Sequence, residues 1–136
     1  MPFVLDTSVA ACWAFPDDED PRADAALTRI RTDEALVPSL WWFEVRNILV
    51  VNERRKRISE SDTARFLRYI ARLPIRVDRF PDETGILWLA RTHRLSVYDA
   101  SYLELARREA APLATLDAKL AAAARAEHAP LIGEAS

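Results

Sequence analysis

Four acidic side chains of this sequence have the type and the spacing to form one reactive site. They are Asp6, Glu44, Asp99 and Asp117. Asp6 and Asp117 each follow a short apolar run, at 3–5 and 113–116, and the carboxyl ends of parallel strands are where ligands bind. Four carboxylates brought together cannot all stay ionised without a cation, because like charges raise each other's pKa. Oxygen ligands select Mg²⁺ or Mn²⁺, which can activate water for phosphodiester cleavage.

Glu44 is an acid within an apolar helical pattern. The predicted apolar stripe of that helix consists of Leu40, Phe43, Ile48 and Val51. Glu44 is four residues from both Leu40 and Ile48, which predicts that it lies in the middle of the stripe. A glutamate on a buried face is rare unless it is paired or binds metal. The alternatives are a favourable position near a helix N-terminus and an ion pair with Arg46. Asn47, one turn on, is predicted to lie beside Glu44 as a polar partner.

The other acids have a structural alternative that is common for aspartate. Asp99 stands at a predicted helix start with Tyr102 and Leu103 one turn later, and Asp117 precedes an alanine-rich helix. Each could be only an N-cap, as could Asp6. Together, each at a strand end or on a helix face directed to one edge, they favour a shared site.

The composition leaves carboxylates as the chemistry of this chain. Its 136 residues include one cysteine, two histidines and two glycines. One cysteine excludes an internal disulfide and a cysteine-based zinc site. Two glycines exclude a glycine-rich phosphate loop. Two histidines disfavour a histidine metal cluster. The net charge of −2 argues against a globally basic nucleic-acid binder. No signal peptide and no run of ~20 apolar residues stands out, so we expect a cytoplasmic protein without a membrane segment.

Strand-like and helix-like segments alternate along the whole chain. Strands are predicted at 3–5, 35–38, 75–77, 112–116 and 130–132. Helices are predicted at 9–15, from 21, from 39 to 57, from 59 or 61 to 73, at 81–94, from 98 or 99, and from 117. This alternation predicts an α/β fold with a central parallel sheet covered on both faces, in one domain over 1–136.

Several of these segments together resemble the PIN-domain pattern. The segments are 3–8, Glu44 with Asn47, 97–106 and 115–117. Size and spacing resemble the VapC-type toxins, which implies a three-layer α/β/α sandwich and a Mg²⁺-dependent endoribonuclease of a type II toxin–antitoxin system. The resemblance also implies a VapB-type antitoxin partner and a homodimer.

The resemblance assigns roles to individual residues. Asp6 and Asp99 would bind the metal most directly, and Glu44 and Asp117 would complete the acidic site. Ser8 and Thr115 would hydrogen bond around them. The chain departs from the pattern at Arg54-Arg55-Lys56-Arg57, where a glycine is expected before the next helix.

The basic run and the tryptophans have less specific interpretations. Arg54, Arg55, Lys56 and Arg57 suit a solvated helix end, with contacts to RNA phosphates as the alternative. Trp41 and Trp42 are adjacent on one helix, so both cannot face the same core, and one is available for a dimer or antitoxin surface. Arg107 and Arg108 are interpreted as ordinary surface.

Two other functions and one other substrate class are alternatives to a PIN-type ribonuclease. A phospho-receiver domain, with Asp78 as acceptor, lacks the paired acid at the first strand and the lysine that ends a later one. A phosphatase with an Asp-x-Asp nucleophile fails because Ser8 occupies the second position. A PIN nuclease acting on DNA or flap structures stays open.

Overall fold

The computed structural model describes residues 1–134 and places four strands and seven helices within them. In chain order they are β1 (Phe3–Leu5), α1 (Thr7–Ala14), α2 (Pro21–Arg29), β2 (Ala35–Pro38), α3 (Leu40–Arg54), α4 (Glu60–Ile70), β3 (Ile75–Asp78), α5 (Glu83–His93), α6 (Val97–Arg108), β4 (Leu113–Ala114) and α7 (Ala118–Ala126). No helix in this part of the chain is long and apolar enough to cross a membrane.

The strands form one parallel sheet in the order β3-β2-β1-β4. Val4 pairs with Leu36 on one side and with Leu113 on the other. Every residue of β1 and β2 is buried. Because successive side chains of a strand point to opposite faces, both faces of the sheet are covered. The predicted three-layer α/β fold with a central parallel sheet is confirmed.

Most helices begin at a side-chain cap. Asp20, Ser59, Asp82, Ser96 and Asp117 each accept a hydrogen bond from a backbone N–H in the first turn. Such bonds satisfy amides that have no partner within the helix. The predicted cap at residue 39 is wrong, because that serine is itself in helical conformation and makes no capping bond.

The end of α3 lies three residues earlier than predicted. Lys56 has a φ of 60°, in the left-handed region that a helical residue cannot occupy. The family pattern predicts a glycine near this position, because glycine adopts a positive φ most readily. Here a lysine adopts that conformation instead. Arg57 N–H then donates to the carbonyl of Asn52 at 2.9 Å, closing the helix end.

The last two predicted strands are shorter than expected. β4 has only two residues, because Leu116 N–H leaves the ladder and donates to Ser8 Oγ at 2.9 Å. The segment 130–132 contributes one isolated bridge, between Leu131 and Leu113, rather than a strand. Thr115, just beyond the end of β4, donates its hydroxyl hydrogen to Asp6.

Candidate active site

Asp6 lies at the carboxyl end of β1, in the middle of the sheet. The residue is 6% exposed, and its Oδ2 accepts hydrogen bonds from Ser8 Oγ and Thr115 Oγ1, both at 2.7 Å. Although Asp6 stands at the N-cap position of α1, its side chain makes no capping bond. The simple cap is therefore excluded for Asp6. Oδ1 makes no hydrogen bond with the described residues.

Two hydroxyls tie the end of β1 to the end of β4. Ser8 donates to Asp6 and accepts from Leu116 N–H. Thr115, 3% exposed, donates to Asp6 and accepts from Asp117 N–H at 3.0 Å. The contacts predicted for Ser8 and Thr115 are thus present around the acid. They hold the two strand ends in one arrangement.

Glu44 reaches the site from α3. Its Oε1 accepts from Tyr102 OH at 2.5 Å and from Thr7 Oγ1 at 2.9 Å. Its predicted position in the middle of a buried stripe is wrong. The buried face of α3 consists of Trp41, Val45, Leu49 and Asn52, and Glu44 is half-buried at its edge.

Asp99 and Asp117 differ in their relation to the helix starts. Ser96, not Asp99, caps α6 and accepts from the Asp99 N–H at 3.0 Å. The cap alternative is therefore wrong for Asp99, which is half-buried in the first turn. Asp117 does cap α7, since its Oδ1 accepts from Leu120 N–H at 2.8 Å.

The charges of the acids act on each other. Burial raises the pKa of Asp6 to about 6, opposed by the hydrogen bonds from Thr115 and Ser8 and increased by Glu44 and Asp99. Burial also raises the pKa of Asp99, and the charges of Asp117 and Glu44 add to that rise. The hydrogen bond with Ser96 and the charge of Lys119 lower this pKa only in part. Among residues 1–134, no arginine, lysine or histidine forms an ion pair with any of the four acids.

The donor set fits a divalent oxygen-seeking ion. It consists of carboxylates, which repel one another, and of hydroxyls, and it contains no nitrogen or sulfur ligand. In their present positions, no three acid, histidine or cysteine side chains of the described chain lie close enough to bind one ion. Mg²⁺ usually keeps several waters and is bound through one or two carboxylates. A converged cage of protein ligands is therefore not required for Mg²⁺ to fit here.

Other predicted site residues lie apart from this cluster. Asn47 is exposed and makes no hydrogen bond to Glu44. Arg57 is held by Asn52 at 3.0 Å and forms ion pairs with Asp17 and Asp18. Its charge is thus already neutralised within the protein. All four residues of the run are exposed, and contact with RNA stays a prediction for Arg54, Arg55, Lys56 and Arg57.

Arg108 is not the ordinary surface residue that was predicted. It donates to both oxygens of Asp78, at 3.1 and 2.8 Å, and to both oxygens of the buried Glu104, at 2.7 and 3.1 Å. The same pair lowers the pKa of Asp78. Asp78, the acceptor required for a phospho-receiver domain, is therefore engaged in a bidentate ion pair on the edge strand.

Thr7 and Tyr102 belong to the segments 3–8 and 97–106 of the family resemblance, but the sequence assigned neither of them a role. Both are buried and both contact Glu44. The available signal was that Asp99 and Tyr102 are three residues apart, so they share a face of α6. An acid at that helix start could have suggested that the tyrosine hydroxyl also points to the site.

Comparison with known proteins finds similarity over most of the chain. The family described as PIN domain matches residues 3–126. The chain is 28% identical over 124 residues to Ribonuclease VapC3 of Pyrobaculum aerophilum, covering 89% of this chain and 93% of that protein. The crystal structure of PAE2754 from Pyrobaculum aerophilum has a TM-score of 0.71 at 22% identity, covering 90% of this chain and 84% of that one. At that identity, the structural likeness is evidence of fold alone.

Proposed function

This chain belongs to the PIN-domain family, and on that premise we propose that it is a Mg²⁺- or Mn²⁺-dependent endoribonuclease. We propose further that it is the toxin of a type II toxin–antitoxin system, acting in the cytoplasm and inhibiting growth by cutting RNA. Its similarity to a protein named Ribonuclease VapC3 supports the substrate class.

One observation supports this function above the others. Asp6 and Asp117 follow β1 and β4, Glu44 and Asp99 lie on α3 and α6, and no ion pair neutralises these four acids in the described chain. Three of them have one carboxylate oxygen engaged by the protein, namely Oδ2 of Asp6, Oε1 of Glu44 and Oδ1 of Asp117. The remaining oxygen of each is available to a ligand.

The proposed reaction assigns each acid a part. Asp6 and Asp99 would hold the ion directly, and Glu44 and Asp117 would complete its surroundings. When bound, a divalent ion supplies an activated water and offsets negative charge at the phosphodiester. Ser8 and Thr115 hold Asp6 in one orientation, and burial of Asp6 excludes bulk water from that side. Preorganised groups of this kind need not rearrange as charge develops.

Cleavage of RNA by the purified protein, free of any antitoxin, tests this function. We expect cleavage of structured RNA with Mg²⁺ or Mn²⁺ and none after EDTA, with activity restored by excess Mn²⁺. Asp24→Asn, a change at an exposed acid outside the site, serves as the control and should cut like the wild type. Activity that survives thorough chelation would rule out the metal-dependent mechanism.

We propose a VapB-type antitoxin as the protein partner and a homodimer as the assembly. A cleft of about 520 Å³ lies between the end of α1 and α4, lined by Ile58, Phe66 and Tyr69 among others. Trp42, 49% exposed beside the buried Trp41, offers a further apolar contact. An amphipathic antitoxin helix would suit such a cleft. A basic side chain from it could form bidentate bonds to the acids and displace the metal.

Neutralising the acids tests the electrostatic part of this inhibition. We expect the Asp6→Asn/Asp99→Asn double variant to bind its cognate antitoxin at least about tenfold more weakly than the wild type, since one charge-assisted bond accounts for such a factor. Titration calorimetry measures the affinity, and Asp24→Asn is again the control. Unchanged affinity would mean that the antitoxin occupies the cleft and blocks access without contacting the acids.

A further inference from the structure

We propose that Tyr102 and Thr7 are positioning residues that occupy one oxygen of Glu44 and leave only the other for the metal ion. This inference rests on the proposed function, since it assigns Glu44 a metal-binding part. It adds two residues that hold the reactive acid without touching the substrate. The reason lies in the contacts at Oε1 and in the burial of the two hydroxyls.

The three polar groups form a closed triangle. Tyr102 OH lies 2.5 Å from Oε1 of Glu44, Thr7 Oγ1 lies 2.9 Å from the same atom, and the two hydroxyl oxygens are 2.8 Å apart. They come from α6, α1 and α3, so the triangle joins three helices. Oε2 of Glu44 makes no hydrogen bond with the described residues. The carboxylate therefore has one engaged oxygen and one available oxygen.

The number of hydrogens indicates which hydroxyl matters more. Thr7 and Tyr102 have one hydroxyl hydrogen each, for three contacts. The shortest contact is that of Tyr102, which therefore donates to Oε1. Thr7 donates to Oε1 at 2.9 Å, so the contact between the two hydroxyl oxygens shares one of these two hydrogens. We infer that loss of the tyrosine hydroxyl has the larger effect, and that loss of the threonine hydroxyl has a smaller one.

Both hydroxyls are buried away from water. Tyr102 is 0% exposed and Thr7 is 5% exposed, so neither hydroxyl can exchange its partner for bulk water. Within residues 1–134 neither hydroxyl hydrogen bonds to anything outside the triangle. A buried hydroxyl without a partner is costly. Among the described residues, Glu44 is the only acid to which these two hydroxyls hydrogen bond, and it forms no ion pair there.

Mn²⁺ binding to the metal-free protein tests the proposal without RNA. We expect Tyr102→Phe to weaken Mn²⁺ binding in titration calorimetry roughly 10- to 100-fold, the range typical when a group that orients a metal ligand is lost. Thr7→Val should weaken it less, and Thr7→Ser, which keeps the hydroxyl, should bind like the wild type. In RNA cleavage, the Mg²⁺ concentration that gives half the maximal rate should rise in the same order.

Thr63→Val is a matched control for loss of a hydroxyl–glutamate bond. Thr63 Oγ1 donates to Glu53 Oε2 at 2.5 Å, between α4 and α3. We expect this variant to bind Mn²⁺ and cleave RNA like the wild type, even if its melting temperature falls. If Tyr102→Phe and Thr7→Val also change only the melting temperature, their role is structural and the proposal is overturned.

The outcomes separate this proposal from the function on which it rests. Wild-type protein that binds Mn²⁺ but cuts no RNA contradicts the ribonuclease, while weaker binding by Tyr102→Phe still supports positioning. Wild-type protein that cuts RNA with Mg²⁺ while Tyr102→Phe and Thr7→Val bind Mn²⁺ unchanged contradicts positioning alone. Wild-type protein without measurable Mn²⁺ binding overturns positioning, since Glu44 then holds no metal.

Discussion

Replacing Asp6 with asparagine is expected to reduce RNA cleavage by more than about 100-fold, while the metal-free protein becomes more stable. The loss should exceed the 10- to 100-fold that is typical of residues that only orient a metal ligand. The gain in stability follows from the geometry. An asparagine can keep both hydrogen bonds, from Ser8 and Thr115, because both are accepted by the same oxygen, and it removes the buried charge.

The gain in stability should depend on pH in a defined direction. Burial raises the pKa of Asp6 in the folded protein from its ordinary 3.8 to about 6. Between pH 4 and 6, the folded state therefore binds more protons than the unfolded state, and its stability falls as pH rises. Above pH 6 the full effect is present, at about 3 kcal/mol. The advantage of Asp6→Asn should thus be large at pH 8 and absent near pH 3.5.

Urea unfolding of metal-free protein at several pH values, beside cleavage assays, checks this result. Asp24→Asn provides the matched change of an exposed acid and should show neither the lost activity nor the pH-dependent gain. A marked drop in stability of Asp6→Asn would mean that the carboxylate is a structural partner. Retained cleavage would remove Asp6 from the site.

Replacing Arg108 with methionine is expected to destabilise the fold by about 3 kcal/mol. The change leaves the buried Glu104 without its cation, and breaking one partner of a buried pair typically costs 3–5 kcal/mol. The lower end applies because the side chain of Arg108 is 30% exposed. Through its bond to Asp78, Arg108 also connects the end of β3 to α6, the helix that carries Asp99. Urea unfolding at pH 7.5 measures the loss.

A second substitution, at Glu104, and a control substitution, at Arg125, test whether the buried charge causes the loss of stability. The double variant Glu104→Gln/Arg108→Met should recover only part of the stability. It removes the buried charge of Glu104, but Asp78, whose side chain is 13% exposed, still lacks its cation. Arg125→Met removes a surface pair with Glu134 and should leave the unfolding midpoint almost unchanged. A loss for Arg108→Met no larger than that of Arg125→Met would contradict a structural role for the pair.

The local pattern of the sequence determined most of the parallel sheet and the starts of two helices. β1 and β2 have the predicted bounds, because short apolar runs ended by Asp6 and Pro38 have few alternatives. Ser59 and Asp117 cap helices as their residue types favour. The family resemblance drawn from the motifs is confirmed by the match over residues 3–126. These features depend on neighbours along the chain, and local physics is sufficient for them.

The rotation of α3 was decided by tertiary packing. The helix has apolar residues around most of its circumference, so its sequence is compatible with more than one buried face. Docking buries Trp41, Val45 and Leu49 and leaves Phe43 69% exposed. Glu44 thereby lies at the edge of the buried face, where it can reach Tyr102.

The long-range polar contacts were likewise decided by the tertiary structure. Tyr102 and Glu44 are 58 residues apart, and Arg108 and Asp78 are 30 apart. Whether such side chains meet depends on how whole helices dock, a choice set by the sum of many core contacts. The residue types of the sequence thus indicated which acids could react. Only the packing of α1, α3 and α6 and the position of Thr115 after β4 determined which hydroxyls hold these acids and which of their oxygens remain available.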